Sequence, residues 1–339
     1  MLPDGSSESL YSKRIKEVRD NSPLKSDDKD PGVITDLIWQ GCYQELHALG
    51  GVYAELHSAI LDWKSCDKIR TAVGNEFQAE LEIWFPELPG LIKNLLSKSV
   101  LTLVKSYPSA KAIGQASQLE IRSLIRQASH GKIGPQIADS TRRAAGESIA
   151  WGEGQMMRHQ HICRLIAELE SLEIHRNFLR KQMAALLTQI PQAECLLSVP
   201  GVGIITVASL LGNCGDLRSY ENYHRLEKFI GLNLFEVSSG RLIGSRHISK
   251  RGNEVSRCAM FQAATGQMKK GGLYYACSVR QKEKSQPGKK IQIAIARKLL
   301  RVLYALFKYQ VKFNERRFFL EIEAGDDQGN PQGMQLKAA

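Results

Sequence analysis

The chain of 339 residues lacks any long apolar run and any apolar segment at its start. Its best apolar stretches, 91–104 and 291–307, are interrupted by lysine or arginine well short of the length that spans a bilayer. Residues 1–21 are polar and charged, unlike a signal peptide. These absences argue against a membrane-spanning class and predict a soluble protein of the cytoplasm.

The chain also lacks any clustering of its cysteines. The seven cysteines are scattered and contain no Cys-x-x-Cys pair, and the eight histidines are equally dispersed. Such scatter is typical of reduced thiols and argues against a disulfide framework or a zinc site. His159 and His161 are two residues apart, so on a helix they would point to different faces and would not share a metal.

Acidic residues are too few to balance the basic ones. Lysine and arginine number 46 against 35 for aspartate and glutamate, which gives a formal net charge of +11. This excess favours a polyanionic partner through counterion release. Net charge alone does not separate DNA from RNA or from an anionic membrane surface.

What the chain does contain is a mainly α-helical pattern. Apolar spacing predicts two long helices, over about 45–85 and 134–187, with a possible interruption near 152–154. Shorter helices are predicted at 91–106 and 118–128. Two long amphipathic helices joined by a small helical insert are typical of an antiparallel coiled-coil hairpin, although an ordinary helical bundle gives the same pattern.

Composition changes divide the chain into four segments. Residues 1–44 carry a short helix at 33–40, and residues 45–190 form the long helical region. Beyond Pro191 the sequence changes to short predicted elements, glycines and clustered basic residues, which predicts a C-terminal domain over 191–320. The remainder, 321–339, is rich in Gly, Gln and Asp, and we expect it to be disordered.

A glycine turn opens the C-terminal domain. Pro200, Gly201, Val202 and Gly203 precede the apolar helix predicted at 204–211. Glycines between two short helices leave backbone N–H groups uncovered, so that a phosphate can approach the helix N-terminus. The pattern predicts a helix-hairpin-helix that clamps the DNA backbone, in which Gly201 and Gly203 touch phosphate. The alternative is a tight helix connection without a ligand.

The most informative stretch, residues 237–253, pairs hydroxyls with cations. Ser238 and Ser239 precede Gly240, and no acid lies in the stretch. Its fixed cations are Arg241, Arg246, Lys250 and Arg251. A hydroxyl among several positive groups suits attack on a phosphate or binding of one, because cations offset transition-state charge and favour the alkoxide. Taken alone, Ser-Ser-Gly is also an ordinary turn.

The flanks of the serine turn predict a small β-hairpin and a helix. Alternation at 235–237 indicates a strand, with 242–243 as its return partner. Asn253 then reads as the N-cap of a helix with Arg257 one turn inside, so that bases again lie beside a helix N-terminus. A later basic helix, 291–313, presents Arg297 and Lys298 either to DNA or simply to solvent.

A cluster of acids lies near the start of the chain. Asp27, Asp28 and Asp30 are close enough to repel one another unless a divalent cation lies between them, so they are candidate Mg²⁺ ligands. Asp30 before Pro31 also suits a helix N-cap, which is the alternative interpretation.

Together these segments resemble a known family, the insertion-sequence transposases related to the Piv and MooV DNA invertases (the IS-one-ten family). The stretches that carry the resemblance, in order, are K-S-D-D-K-D (25–30), S-V-P-G-V-G-I-I-T-V-A-S-L-L (198–211), F-I-G-L (229–232), S-S-G (238–240), I-S-K-R-G-N (248–253) and I-A-I-A-R-K-L-L (293–300).

The resemblance implies a fold and a mechanism. Family members have an N-terminal RuvC-like domain with four metal-binding acids, a coiled coil, and a C-terminal domain with a nucleophilic serine. By this resemblance Asp27 and Asp30 are the last two acids and bind Mg²⁺, whereas Asp28 is not a ligand. Ser239 is the nucleophile, with Ser238 second. DNA is the partner, a structured guide RNA is a further one, and a homo-oligomer is expected.

One departure from the family pattern concerns the first domain. Only 26 residues precede Asp27, and they show no strand that carries an aspartate. Residues 1–44 are therefore expected to be the C-terminal remnant of a RuvC-like α/β domain in an N-terminally truncated chain. Lacking two of four metal ligands, such a chain is expected to be impaired as a recombinase. The other function considered is non-catalytic binding of DNA or RNA.

Overall fold

The computed structural model of the chain describes residues 30–39, 49–150, 152–236 and 246–316. These residues are mostly helical, as the sequence predicts, and they contain one two-stranded antiparallel sheet. No described helix combines the length and the apolar character that crossing a membrane requires. The six described cysteines are all free thiols, as expected.

The helices and strands follow one another in chain order. They are α1 (Asp30–Trp39), α2 (Val52–Trp84), α3 (Leu88–Leu91), α4 (Lys98–Ser106), α5 (Ala110–Gln115), α6 (Gln118–Ser129), α7 (Pro135–Gly146), α8 (Gln155–Thr188), α9 (Ala193–Leu197), α10 (Ile204–Cys214), α11 (Tyr223–Ile230), β1 (Leu234–Glu236), β2 (Arg246–Ile248), α12 (Glu254–Gln267), α13 (Tyr275–Glu283) and α14 (Gly288–Tyr309).

The chain divides into two compact units. A central unit contains residues 58–185, and a terminal unit contains the described residues before 58 and after 185. Helices α2 and α8 each run through both units.

In the central unit the two long helices run antiparallel. His175 Nε2 lies 3.0 Å from Asp62 Oδ2, near one end of the pair. At the other end Arg158 Nη1 bonds to Glu80 Oε2 at 2.5 Å. As the residue number rises along α2 it falls along α8, which is the antiparallel arrangement that the apolar spacing predicts. A supercoil between the two helices stays a prediction.

The predicted helix over 134–187 is interrupted near 152–154, as the sequence suggested, but the gap begins earlier than expected. Helix α7 ends at Gly146 and α8 begins at Gln155. In the gap, Ser148 Oγ and the Ile149 amide donate to the Glu87 carboxylate, at 2.7 and 3.0 Å. Those hydrogen bonds to a distant side chain replace the bonds that would continue the helix. The predicted helix over 91–106 is likewise shorter, because α4 begins at Lys98.

In the terminal unit α12 and α14 pack antiparallel over a buried core. Gln292 Nε2 donates to Phe261 O and Thr265 Oγ1 in the second half of α12, at 3.1 and 2.7 Å. Further along α14, the Tyr304 hydroxyl donates to Tyr220 O at 2.8 Å, just before α11. The apolar side of α14, including Leu299, is fully buried, as its spacing predicts.

Candidate nucleic-acid site

The short β-ribbon frames the segment that carries the serines. β1 pairs antiparallel with β2, and Glu236 lies opposite Arg246. The strand that pairs with β1 is β2, later in the chain than the predicted return partner at 242–243, and those two residues lie outside the described residues. Residues 237–245 connect the two strands. Ser238, Ser239, Gly240 and Arg241 belong to this connection and lie outside the described residues.

Backbone pairing continues beyond the strands. Three hydrogen bonds extend the ribbon away from residues 237–245: Ser249 N to Asn233 O at 2.9 Å, Lys250 N to Gly231 O at 3.2 Å, and Asn253 N to Phe229 O at 2.9 Å. The F-I-G-L and I-S-K-R-G-N stretches, which are separated in sequence, therefore pair with each other through backbone hydrogen bonds. We call residues 229–233 and 247–253 the ribbon base.

Two glycines make this close approach possible. Gly231 has φ +76°, and a Cβ there would lie 2.6 Å from Arg251 O. Gly252 has φ +131°, and a Cβ there would overlap Phe229 O. Both values of φ are left-handed, where glycine alone is unstrained, and both sites face backbone atoms that have no freedom to move aside. The ribbon base therefore requires glycine at both positions.

Asn253 joins the ribbon base to two helices. Its Oδ1 accepts from Ser256 N at 2.8 Å, which confirms the predicted N-cap of α12. Its Nδ2 donates to Asn213 Oδ1 at 3.0 Å near the end of α10. One side chain thus fixes α10, α12 and the ribbon base relative to one another.

The predicted DNA-binding cations fall into two groups. Lys250, Arg251 and Lys298 are exposed, and Lys250 holds a left-handed φ of +54°. Arg257, half-buried, donates through Nη1 to Ile230 O at 3.0 Å and so supports the ribbon base. Arg246 lies in β2.

Arg297 is engaged inside the terminal unit. Its Nε and Nη2 donate to the two carboxylate oxygens of Glu227, at 2.5 and 3.1 Å, and Glu227 is 5 % exposed. A forked pair with a buried carboxylate holds α14 against α11. The sequence interpretation missed this pair, because 70 residues separate its members and helix spacing connects only near neighbours.

The glycine turn lies between α9 and α10, as predicted. Gly201 has φ +77° and Gly203 occupies the N-cap position of α10, and both are exposed. The buried side chain of Gln267 supports this turn, with Nε2 donating to Pro200 O at 2.5 Å. Gln267 was not recognised in the sequence, where nothing distinguishes it from a solvent-facing helical glutamine. The helix-hairpin-helix assignment stays a prediction.

The described residues supply no metal site. None of them form a group of three or more His, Cys, Asp or Glu side chains that could hold a metal ion. Asp30 is the first residue of α1, and Asp27 and Asp28 lie outside the described residues. Of the two predicted Mg²⁺ ligands only Asp30 is a described residue, so Mg²⁺ binding stays a prediction.

Comparison with known proteins bears on this site. Residues 193–275 match the family described as Transposase IS116/IS110/IS902. The chain is similar to insertion-element transposases. The matched segment runs from α9 to the start of α13, so it contains the glycine turn, the ribbon base and residues 237–245.

Individual relatives extend this similarity. An uncharacterised 43.6 kDa protein of insertion element IS110 from Streptomyces coelicolor is 25% identical over 287 residues, 84% of this chain and 71% of the relative. A 42 kDa protein of insertion element IS900 from Mycobacterium paratuberculosis is 22% identical over 213 residues, 62% and 53% of the two chains. The pilin gene-inverting protein of Moraxella bovis is 32% identical over 129 residues, 37% and 39%. The chain thus spans about half of the IS900 protein and less of the inverting protein.

Proposed function

We propose that the chain is a DNA transposase of an insertion element, which cuts and rejoins DNA through a serine nucleophile. The observation that carries the proposal is the ribbon base, a glycine-dependent backbone pairing next to the two strands that residues 237–245 connect. The family match over 193–275 supports the same conclusion, because it covers this whole region. The pilin gene-inverting protein of Moraxella bovis, by its name a protein that inverts a gene, is similar over 129 residues.

The proposed chemistry is an exchange of phosphodiester bonds. Ser239 Oγ attacks the phosphorus of a DNA phosphodiester, so a P–Oγ bond forms while the bond from phosphorus to one deoxyribose oxygen breaks. The serine proton passes, directly or through water, to that departing oxygen. The products are a phosphoserine ester and a DNA hydroxyl. Because one ester replaces another, attack by a hydroxyl of a second strand restores the serine and joins the strands.

Cations of the ribbon base suit this reaction. Lys250 and Arg251 are exposed and follow β2 after Ser249. Positive groups held by a rigid support stabilise negative charge on the pentacoordinate phosphorus without reorganising during the step. Each such group is typically worth about 10²-fold or more in rate when it contacts the transition state.

Covalent capture of DNA tests this chemistry. The chain is expressed together with a plasmid carrying the DNA that flanks its reading frame, and protein–DNA adducts are counted on a denaturing gel. We expect Ser239→Ala to abolish the adduct, and Ser238→Ala and the matched control Ser245→Ala to retain it. Loss of the adduct in Ser238→Ala alone assigns the nucleophile to Ser238 instead of Ser239. An adduct that persists in the double Ser238→Ala, Ser239→Ala variant contradicts the proposal.

Further partners follow from the same resemblance. We propose that Asp27 and Asp30 bind Mg²⁺, which calorimetric titration with MgCl₂ tests against an Asp27→Asn, Asp30→Asn variant. A structured guide RNA and a homo-oligomer are proposed as well. Exposed apolar side chains on α8, Ile174 at 72 % and Phe178 at 53 %, support self-association of the central unit. Native mass spectrometry measures both bound RNA and oligomer size.

Non-catalytic nucleic-acid binding is the second candidate. The observation that favours it is the exposure of several lysines and of the glycine turn in the terminal unit, which suits binding without bond breakage. This function predicts a steep salt dependence of DNA affinity and no covalent product in the adduct assay.

A further inference from the structure

Four lysines gather beyond the C-terminal end of α12. Lys269 and Lys270 follow this helix after Met268, and Lys289 and Lys290 lie in the first turn of α14. All four are exposed, and within the described part of the chain no carboxylate forms an ion pair with any of them. Glu283 is the only acid between 267 and 290. We call these four side chains the lysine surface.

Helix packing brings the two pairs together. Gln292 Nε2 bonds to Thr265 Oγ1 at 2.7 Å, which fixes the start of α14 beside the last turn of α12. The two helices run antiparallel, so residues one turn before Gln292 lie beyond the end of α12. Lys269 and Lys270 continue the chain at the same end. The lysine surface therefore draws on two segments that are distant in sequence.

Gln267 couples this surface to the glycine turn. Its Oε1 accepts from Leu273 N at 3.1 Å, while its Nε2 donates to Pro200 O. A Cβ at Gly272 would lie 2.8 Å from Gln267 Cα, so the turn that carries Lys269 and Lys270 packs directly on this residue. Gln267 thus contacts both the glycine turn and the turn that carries Lys269 and Lys270.

We propose that the lysine surface binds the phosphate backbone of duplex DNA, as a contact separate from the one beside the serine segment. Lysine is a point charge that binds phosphate without reading bases, which suits a sequence-independent anchor. The inference rests on the proposed function for the choice of DNA as partner, but not on the serine chemistry.

The position of the surface gives a distance along DNA. The ribbon base contacts the first turn of α12 through Asn253, and the lysine surface lies past its last residue, Gln267. These 14 residues span roughly 20 Å at about 1.5 Å per residue. If a straight duplex follows α12, it advances about 3.4 Å per base pair, and the two contacts then lie roughly six base pairs apart.

The test measures the salt dependence of DNA affinity. Fluorescence anisotropy with a labelled 30-base-pair duplex gives the slope of log K against log[NaCl] for the full chain. The test variant replaces four lysines by glutamine: Lys269, Lys270, Lys289 and Lys290. The matched control makes the same change in charge at four exposed lysines of the central unit: Lys93, Lys98, Lys111 and Lys132. Circular dichroism checks that both variants fold.

Each phosphate contact contributes about 0.9 to the slope, so we expect the slope of the test variant to fall by about 3 to 4 and that of the control by less than about 1. Equal slopes in the two variants overturn the proposal. So does loss of affinity for an RNA hairpin while the affinity for the duplex is unchanged, which would assign the surface to RNA.

Phosphate-ethylation interference on the same duplex supplies the second readout. Ethylation roughly six base pairs from the adduct position weakens binding of the wild type and has no effect on the test variant. If the wild type forms no adduct yet shows the lysine-dependent slope, the serine chemistry fails and the lysine contact stands. If the adduct forms but the slope does not depend on the lysines, the lysine contact fails and the serine chemistry stands.

Discussion

Substitution of Gly252 by alanine is the sharpest probe of the ribbon base. Gly252 has φ +131°, and an added Cβ would overlap Phe229 O and lie 2.9 Å from Gly231 N. Holding alanine in this backbone conformation costs about 1–3 kcal/mol. Relieving the overlap also opens the hydrogen bond from Asn253 N to Phe229 O, worth about 1 kcal/mol. We therefore expect a local destabilisation of about 2–4 kcal/mol.

Hydrogen exchange measures this opening directly. At about 1.4 kcal/mol per factor of ten, the hydrogen-bonded amides of Ser249, Lys250 and Asn253 should exchange about 30-fold to several hundred-fold faster in Gly252→Ala. The matched control is Gly266→Ala in α12, where nothing lies within 4 Å of the added Cβ. Alanine there is expected to stabilise the helix by up to about 1 kcal/mol. Equal exchange in the two variants would refute the argument that the glycines make the ribbon base.

Three further predictions concern other parts of the chain. Arg297→Gln should destabilise the terminal unit by about 2–4 kcal/mol in urea unfolding, because Glu227 keeps a buried charge without its partner, while the salt dependence of DNA binding should not change. Arg122 lowers the pKa of Asp139 to about 2. The stability that this pair contributes is therefore complete above pH 3.8 and is lost as the pH falls through 2. In Asp139→Asn the free energy of unfolding should depend less on pH in that window. Burial raises the pKa of the Cys214 thiol to about 12, so it should resist a thiol reagent under native conditions. The described thiols expected to react first are the half-buried ones, Cys163, Cys258 and Cys277.

Local signals predicted several elements of this fold correctly. The N-cap at Asn253 depends only on the residues beside it, and apolar spacing alone predicts the buried side of α14. The glycine turn between α9 and α10 was predictable for the same reason, since Pro and Gly constrain the backbone at their own positions.

The features that failed or were missed depend on contacts between distant residues. The early start of the interruption, directly after Gly146, follows from hydrogen bonds to Glu87, and the position of the strand opposite β1 is set by pairing with residues before the serines. Arg297 was predicted to face either DNA or solvent, and its pairing with Glu227 was missed because the two residues lie on different helices. Gln267 gives no signal at all, because its role depends on two turns that meet only in the folded chain.

Identification of the covalently modified residue tests the central claim most directly. The trapped protein–DNA adduct is digested with nuclease and protease, and the peptide that retains a nucleotide is sequenced by mass spectrometry. The account predicts a phosphodiester link on Ser239, and no such peptide from the Ser239→Ala variant. A nucleotide on a residue outside 237–245, or cleavage and joining of DNA without any covalent intermediate, would contradict it.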